Sequence, residues 1–269
     1  MDKKSERGAA LVGTSGWAYR EWRGKFYPKG LPQSQELSYL ADRVATIEMN
    51  SPFYRLQTPG MYEKWRGQVP DGVVFAVKGW RGVTHFKKLR DVGESVAHFF
   101  HSGPLALGSA LGPVLWQLPP SLEFDGNVLE DFLAGLPQTQ GQAAEFSGGH
   151  ASAPDLPLKY ALEPRNESFR SEDAYEILTK HNVALVFSDS AGRHPQFDQV
   201  TADFTYTRLH GSPRIYYSNY SEEDLEGWAS KLRPELAAGH DCYVYFDNTA
   251  AGHAPGNAME LQQILRAAN

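Results

Sequence analysis

Short apolar runs recur along the chain, and each ends in a cluster of polar or aromatic residues. The runs are rich in β-branched and aromatic residues and are bounded by Gly, Pro or Asp, which is typical of buried strands. They predict eight strands, at 10–17, 45–51, 73–80, 112–118, 159–165, 184–189, 204–210 and 241–247.

Segments with apolar residues at helical spacing lie between these runs. They predict helices over 35–44, 60–66, 93–101, 127–136, 172–181, 221–238 and 257–267. Ser171 and Ser221 stand where N-caps are expected. Two connections differ from this pattern. Segment 191–201 has no helical pattern, and segment 138–157 is rich in Gln, Ala, Gly, Ser and Pro, which predicts a flexible surface connection.

Strict alternation of strands and helices predicts a parallel sheet, and eight repeats predict that the sheet closes into a ring. The 269 residues suit one (β/α)8 TIM-type barrel, an α/β fold of about 250 residues. We therefore expect a single domain over 1–269, with residues 1–9 flexible. A doubly wound open sheet is the main rival, but no glycine-rich dinucleotide motif follows the first strand. In a barrel, the functional site lies on the loops after the strands.

Composition narrows the classes of function. With 26 Lys and Arg against 32 Asp and Glu, the formal net charge is −6, which argues against a protein that coats nucleic acid non-specifically. Cys242 is the one cysteine and lies in an apolar run, so we expect a buried, unreactive thiol and a reducing, cytoplasmic location. No run reaches the ~20 apolar residues of a membrane span, so we expect no membrane partner.

Ionisable side chains concentrate at the ends of the predicted strands. Residues two apart on a strand share a face, so Tyr206, Arg208 and His210 are expected to point into the barrel while Leu209 points outward. The same parity predicts a pocket mouth lined by Glu48, Lys78, Glu163, Arg165, Arg208 and His210. Two carboxylates against three cations favour an anionic ligand, and the alternative is a salt-bridge network that caps the barrel core.

The predicted loops add further candidates. Trp17 and Trp80 directly follow strands and are placed to stack on a ligand. The basic segment 81–90 is either a solvated loop or a contact for phosphate or nucleic acid. Segment 248–257 leads into a helix and has the small residues of a phosphate-binding loop. No closely spaced metal-ligand motif is present, so no metal is predicted.

Several motifs together resemble those of the YecE-like family, catalogued as domain of unknown function 72. They are Gly-Thr-Ser-Gly-Trp at 13–17, Glu-Met-Asn-Ser-Pro-Phe-Tyr-Arg at 48–55, Phe-Ala-Val-Lys at 75–78 with Thr84-His85, Leu-Gly-Pro-Val-Leu-Trp-Gln-Leu-Pro-Pro at 111–120, Tyr-Thr-Arg-Leu-His-Gly at 206–211 and Phe-Asp-Asn-Thr at 246–249. The resemblance covers nearly the whole chain. It implies a TIM-type barrel and no established reaction.

The chain departs from the family pattern at two sites. The fifth strand of such proteins ends in Glu-Phe-Arg-His-x-Ser-Trp. Here Glu163 and Arg165 are kept, but Asn166 and Phe169 replace the His and the Trp. After the last strand, Asp247-Asn248 stands where the resemblance implies Asn-Asn. The resemblance therefore supports roles for Glu163 and Arg165 but not for an imidazole at position 166.

The residues favour an uncharacterised barrel enzyme that acts on a small phosphate-bearing or nucleotide-like anion, with no cofactor identified. Glu48, Glu163 and His210 are the candidate catalytic residues. Candidate binding residues are Trp17, Asn50, Lys78, Trp80, Arg165, Arg208 and Asn248. Two other hypotheses stay open. One is a non-catalytic nucleic-acid-binding protein, and the other is a metal-dependent phosphodiester hydrolase.

Overall fold

A ring of parallel strands forms the centre of the molecule. The computed structural model describes residues 7–267. Their strands are β1 (Ala10–Ser15), β2 (Thr46–Met49), β3 (Val74–Lys78), β4 (Leu111–Gln117), β5 (Tyr160–Glu163), β6 (Val183–Leu185), β7 (Phe187–Asp189), β8 (Phe204–Leu209) and β9 (Asp241–Phe246). In the sheet they follow the order β6-β5-β4-β3-β2-β1-β9-β8-β7, with parallel pairing throughout. The chain therefore forms the predicted α/β TIM-type barrel.

The sixth predicted strand, 184–189, is divided into two. β6 pairs with β5 and β7 pairs with β8, and the single residue Val186 lies between the two halves. The Val186 N–H donates to the Leu162 carbonyl at 2.9 Å, which continues the contact with β5. The two ends of the sheet are thus consecutive parts of one segment, and the barrel is nearly closed there.

Nine helices of α type surround the ring in the described range. They are α1 (Glu36–Ala41), α2 (Ser51–Tyr54), α3 (Pro59–Arg66), α4 (Gly93–His101), α5 (Gly126–Ala134), α6 (Gln140–Ser147), α7 (Glu172–Lys180), α8 (Glu222–Ala237) and α9 (Ala254–Ala267). The predicted caps are confirmed: the Ser171 side chain accepts from Ala174 N–H, and Ser221 forms a reciprocal capping box with Asp224.

Segment 138–157 contains a helix that its composition did not predict. The Thr139 side chain accepts from Gln142 N–H and so caps α6. The Leu158 N–H donates to the Gln138 carbonyl, which joins the two ends of the segment. The many small and polar residues hide the helical periodicity, so packing and capping decide this element.

The predicted parity of the strands is confirmed. Ala76, Ala161 and Tyr206 belong to the cluster that fills the barrel interior, whereas Tyr160, Leu162 and Leu209 belong to the larger cluster between strands and helices. On each of these strands, the inward-facing residues near the carboxyl end are the ionisable ones. The apolar filling therefore forms the floor of the site.

Gly13 on β1 allows two strands to approach closely. A Cβ at this position would lie 1.6 Å from the Thr46 carbonyl oxygen on β2, so only glycine fits. Cys242 is fully buried on β9, and burial raises the pKa of its thiol to about 11, as expected of an unreactive cysteine.

Of the segment 1–9, which is predicted to be flexible, residues 1–6 lie outside the described part of the chain. Gly8 N–H donates to the Leu236 carbonyl, and Ala9 N–H to the Asp241 carboxylate. None of the described helices is both long enough and apolar enough to cross a membrane.

Candidate functional site

A cavity of about 530 Å³ opens at the carboxyl ends of the strands. Its size is within the usual range for a small-molecule site. The residues that line it come from seven of the loops and strand ends: Tyr19, Asn50, Phe53, Tyr54, Lys78, Arg81, His85, Phe86, Gln117, Arg165, Arg208, Tyr216, Asp247 and Thr249. It therefore lies where a barrel places its functional site.

Arg208, at the end of β8, is the centre of the ionic network beneath this cavity. Its guanidinium forms a bidentate pair with Glu48, from Nε to Oε2 at 2.9 Å and from Nη2 to Oε1 at 2.8 Å. Nη1 contacts Glu163 Oε2 at 3.0 Å and His210 Nε2 at 2.9 Å, and Nη2 contacts Asp247 Oδ2 at 3.3 Å. All five N–H donors of Arg208 are thus occupied within the protein.

Glu48, at the end of β2, is fully buried and fully hydrogen bonded. Besides Arg208, it accepts from Ser15 Oγ and from the Tyr206 hydroxyl, each at 2.6 Å. Burial by itself would raise the pKa of its carboxyl, but Arg208 and these donors outweigh burial and lower the pKa. Glu48 is therefore an ionised partner that fixes Arg208, and it does not line the cavity.

Glu163, at the end of β5, has a similar environment. Oε2 accepts from Gln117 at 2.8 Å and from Arg208, and Oε1 accepts from Arg165 Nε at 3.2 Å. Burial would raise its pKa, but Arg208 and Arg165 lower it well below the usual range. The carboxylate is 2% exposed and lies below the cavity surface.

His210 lies beside Arg208 and is neutral. Its pKa is lowered to about 3, first by burial and then by Arg208. Nε2 faces an Arg208 N–H, so it acts as an acceptor, and Nδ1 lies 3.1 Å from the Asp189 carbonyl, to which it donates. Both ring nitrogens are therefore engaged, which is the outcome expected from the neighbouring arginine.

Asp247, which follows β9, is the carboxyl of the cluster that reaches the cavity. Its side chain is 14% exposed and its Oδ2 lies 3.5 Å from His210 Nε2. Burial raises its pKa to about 6; Arg208 acts against this, while Glu48 and Glu163 add to it. The sequence places Asp247 at the end of the last strand and marks it as a departure from the family pattern, but it does not indicate this pKa. Its chemistry depends on its position beside two buried carboxylates, which strand parity alone does not reveal.

Lys78, at the end of β3, lines the cavity and is 6% exposed. Its Nζ lies 4.1 Å from the centre of the Phe53 ring. Within residues 7–267 no ion pair or hydrogen bond of this ammonium is found. Burial and the proximity of Arg208 lower its pKa to about 8.

Arg165, Arg81 and Asn50 complete the polar lining. Arg165 binds Glu163 through Nε, and within residues 7–267 no other side-chain hydrogen bond of its guanidinium is found. Arg81 lies over the Phe86 ring at 5.2 Å. Asn50 donates to Ser15 Oγ at 2.6 Å, and its buried Oδ1 has no partner in the described structure. Segment 81–90, predicted as a basic loop, thus forms one wall of the cavity through its first residues.

Three predicted binding residues lie elsewhere. Trp17 packs edge-on against Trp65 and Trp80 against His98, so both indoles fill space between loops and helices. The Asn248 amide is fully buried and donates to Asn257 Oδ1 and to the Ser218 carbonyl. None of the three is among the residues that line the cavity.

The charge count changes once Asp247 is included. Three carboxylates, Glu48, Glu163 and Asp247, face the three predicted cations, so the excess of positive charge inferred from the sequence is absent from the network itself. The cavity surface is different. Four basic residues, Lys78, Arg81, Arg165 and Arg208, line it with one carboxyl, Asp247. Glu48 and Glu163 neutralise Arg208 from below.

Among residues 7–267, no group of three or more His, Cys, Asp and Glu side chains is arranged to hold a metal ion. The carboxylates at the strand ends are instead paired with arginine.

Fold and site together define a TIM-type barrel with a basic cavity above a buried ionic network at the carboxyl ends of its strands. The model of the family described as "Protein of unknown function DUF72" matches residues 11–269, and the chain belongs to this family. The resemblance inferred from the motifs is thereby confirmed.

Relatives match over almost their whole length. The UPF0759 protein YunF of Bacillus subtilis (strain 168) is 23% identical over 283 residues, which cover 94% of this chain and 94% of that protein. The crystal structure of a DUF72 family protein from Thermotoga maritima MSB8 has a TM-score of 0.78 and 26% identity, covering 96% of this chain and 99% of that one. A DUF72 family protein from Enterococcus faecalis V583 has a TM-score of 0.72 and 18% identity, covering 97% and 99%, and supports the fold.

Proposed function

We propose that this protein is an enzyme that acts on a small phosphate-bearing or nucleotide-like anion in the cavity at the carboxyl ends of the strands. The observation that carries the proposal is the lining of that cavity, which has four basic side chains and one carboxyl. Positive charge in a confined, partly desolvated cleft attracts an anion more strongly than it would in water.

The contacts to the anion fall to Arg165, Lys78 and Arg81. Arg208 was a candidate for this role, but its five N–H donors are occupied by Glu48, Glu163, His210 and Asp247. We assign Arg208 the task of holding the network together. Asn50 also lines the cavity and is a further candidate for contact with the ligand.

Proton transfer is assigned to Asp247. Glu48, Glu163 and His210 were the candidates, but each is engaged by Arg208, and their pKa values lie far below neutrality. Asp247 lines the cavity with a pKa of about 6, so near neutral pH it can both lose and gain a proton. The buried carboxylates Glu48 and Glu163 help to raise the pKa of Asp247, and in this way they contribute to the proposed proton transfer.

The two alternatives have less support. Base stacking by Trp17 and Trp80 would need accessible ring faces, whereas both indoles are partly buried and pack against the hydrophobic core. A metal-dependent hydrolase would need a cluster of ligands, and the described carboxylates are paired with arginine instead.

A ligand screen tests the proposal. Phosphorylated metabolites, sugars, nucleotides and short oligonucleotides would be ranked by thermal shift, and the best would be measured by calorimetry. We expect an anion to bind, and Arg165→Ala to weaken it about tenfold or more, since a charge-assisted hydrogen bond contributes about 1.5–3 kcal/mol.

Arg266→Ala is the matched control. Arg266 lies beside Gly8 and Ala10, at the opposite end of the barrel, and its loss should leave the affinity unchanged. Equal affinity of wild type and Arg165→Ala for every anion that binds would contradict the proposal.

A further inference from the structure

Lys78 has an environment that anion binding alone does not explain. The side chain is almost fully buried, yet its ammonium has no carboxylate partner among the described residues. Its Nζ lies over the Phe53 ring, and the residue lines the cavity. A buried ammonium in a protein is normally paired, because desolvation of the charge is costly.

The groups around Lys78 disfavour its charged form. Burial contributes most, Arg208 on β8 and Arg165 beyond β5 add repulsion, and Glu163 and Glu48 oppose them, so that the pKa falls to about 8. His85, which faces the same cavity from segment 81–90, adds no charge near neutral pH, because burial and Lys78 lower its pKa to about 4. Asp247 also lines the cavity. About a tenth of the Lys78 side chains are therefore neutral, nucleophilic amines at pH 7, and about half are at pH 8.

We propose that Lys78 is a covalent catalytic residue that forms an imine with the carbonyl carbon of an organic anion. This inference rests on the proposed function, since the same cavity binds the substrate, and it names the substrate class as an aldehyde or ketone that carries a carboxylate or phosphate. Arg165 and Arg81, which line the cavity beside Lys78, bind the anionic group.

The step balances without a further reactant. The neutral Nζ of Lys78 attacks the carbonyl carbon, and one of its protons passes to the carbonyl oxygen, which gives a carbinolamine. Protonation of the carbinolamine hydroxyl breaks the C–O bond and releases water, and the C=N bond forms as an iminium. Asp247, with a pKa of about 6, is the group in the cavity that can supply this proton. Loss of the remaining N–H proton gives the neutral imine.

Reductive trapping tests the proposal. The protein would be incubated with pyruvate, and separately with the uncharged ketone hydroxyacetone, each with sodium cyanoborohydride, and the modified lysines would be located by peptide mass mapping. We expect a secondary amine at Lys78 to form about tenfold or more faster than at Lys64, an exposed lysine of α3 that lies outside the cavity.

Variants make the assignment specific. Lys78→Arg keeps the positive charge but cannot form an imine, so the fast adduct should disappear, while Lys64→Arg should leave it unchanged. Lys78→Met is a second variant in case arginine does not fit, and thermal unfolding would establish that each variant is folded. Modification of wild-type Lys78 no faster than Lys64 with both ketones would overturn the proposal.

The two ketones separate this inference from the proposed function. If anions bind with dependence on Arg165 but neither ketone is trapped at Lys78, the imine is wrong and the anion site stands. If hydroxyacetone is trapped at Lys78 while no anion binds, the imine stands and the proposed anion specificity is wrong.

Discussion

Single residues in this barrel have properties that their immediate sequence does not indicate. Glu48 and Asp247 are both carboxyls at strand ends, yet the pKa of Glu48 is lowered and that of Asp247 is raised to about 6. Glu48 accepts hydrogen bonds from Nε and Nη2 of Arg208 and from two hydroxyl groups, whereas Asp247 accepts one longer contact from Nη2 of the same arginine. The distribution of Arg208 donors therefore decides which carboxyl stays ionised.

Substitution of Asp247 by Asn should change how stability depends on pH. The folded pKa of about 6 lies above the ordinary value of 3.8, so folding disfavours the ionised form. That penalty is absent below pH 3.8, develops as the pH rises, and reaches at most about 3 kcal/mol above pH 6. The free energy of unfolding of Asp247→Asn, minus that of wild type, should therefore increase as the pH is raised from 4.5 to 7.5. Urea denaturation at each pH measures this difference.

Asp71→Asn is the control for this measurement. Asp71 pairs with Arg66 on the surface, and its side chain is 97% exposed, so its replacement should change the free energy of unfolding by at most about 1 kcal/mol. An Asp247→Asn stability difference that stays flat with pH, or falls, would show that Asp247 is not held above its ordinary pKa.

Removal of Glu48 should be strongly destabilising. Glu48→Ala leaves Arg208 buried without its bidentate partner, and the loss of one member of such a pair costs about 3–5 kcal/mol. Glu226→Ala removes the surface partner of Arg233 and should cost at most about 1 kcal/mol. Urea unfolding of both variants measures the difference, and equal losses would mean that the buried network contributes no more than a surface pair.

Elements of this fold follow local signals except where packing overrides them. α4 spans Gly93–His101, as its periodicity predicts, and α7 begins behind the predicted Ser171 cap. α6 lies in a segment of low periodicity, and the sixth strand is divided at Val186 because its two halves pair with different neighbours. These two departures depend on contacts distant in sequence, which no local pattern contains.

The effect of replacing a glycine by alanine depends on the space around it, as Gly13 and Gly227 show. Gly13→Ala on β1 would force a Cβ to within 1.6 Å of the Thr46 carbonyl oxygen, so β1 and β2 would have to separate. Gly227 lies within α8, where an added Cβ meets nothing within 4 Å, so Gly227→Ala should stabilise the protein by about 0.5–1 kcal/mol. Thermal unfolding should show a clear loss for Gly13→Ala and a small gain for Gly227→Ala. A gain for both would contradict the close approach at Gly13.

For the whole molecule, the spacing and number of the strands were sufficient to predict the barrel and the end at which its cavity opens. The alternation of inward and outward side chains along the strands was sufficient to predict that Lys78, Arg165 and Arg208 line this cavity. Trp17 and Trp80 show the limit of this reasoning. An aromatic residue that follows a strand either faces a ligand or packs a loop, and only the position of Trp65 and His98 selects packing here.

By itself, the sequence determined the class of fold, the family, and which strands bring charged residues to one rim, because periodicity and motif spacing are local properties of the chain. The tertiary structure decided how those charges divide. Glu48 and Glu163 lie below the cavity and pair with Arg208, while Lys78, Arg81, Arg165, Arg208 and Asp247 line it. Distances of a few ångströms between residues far apart in sequence set burial and pairing, and these set which groups can bind an anion or react with it.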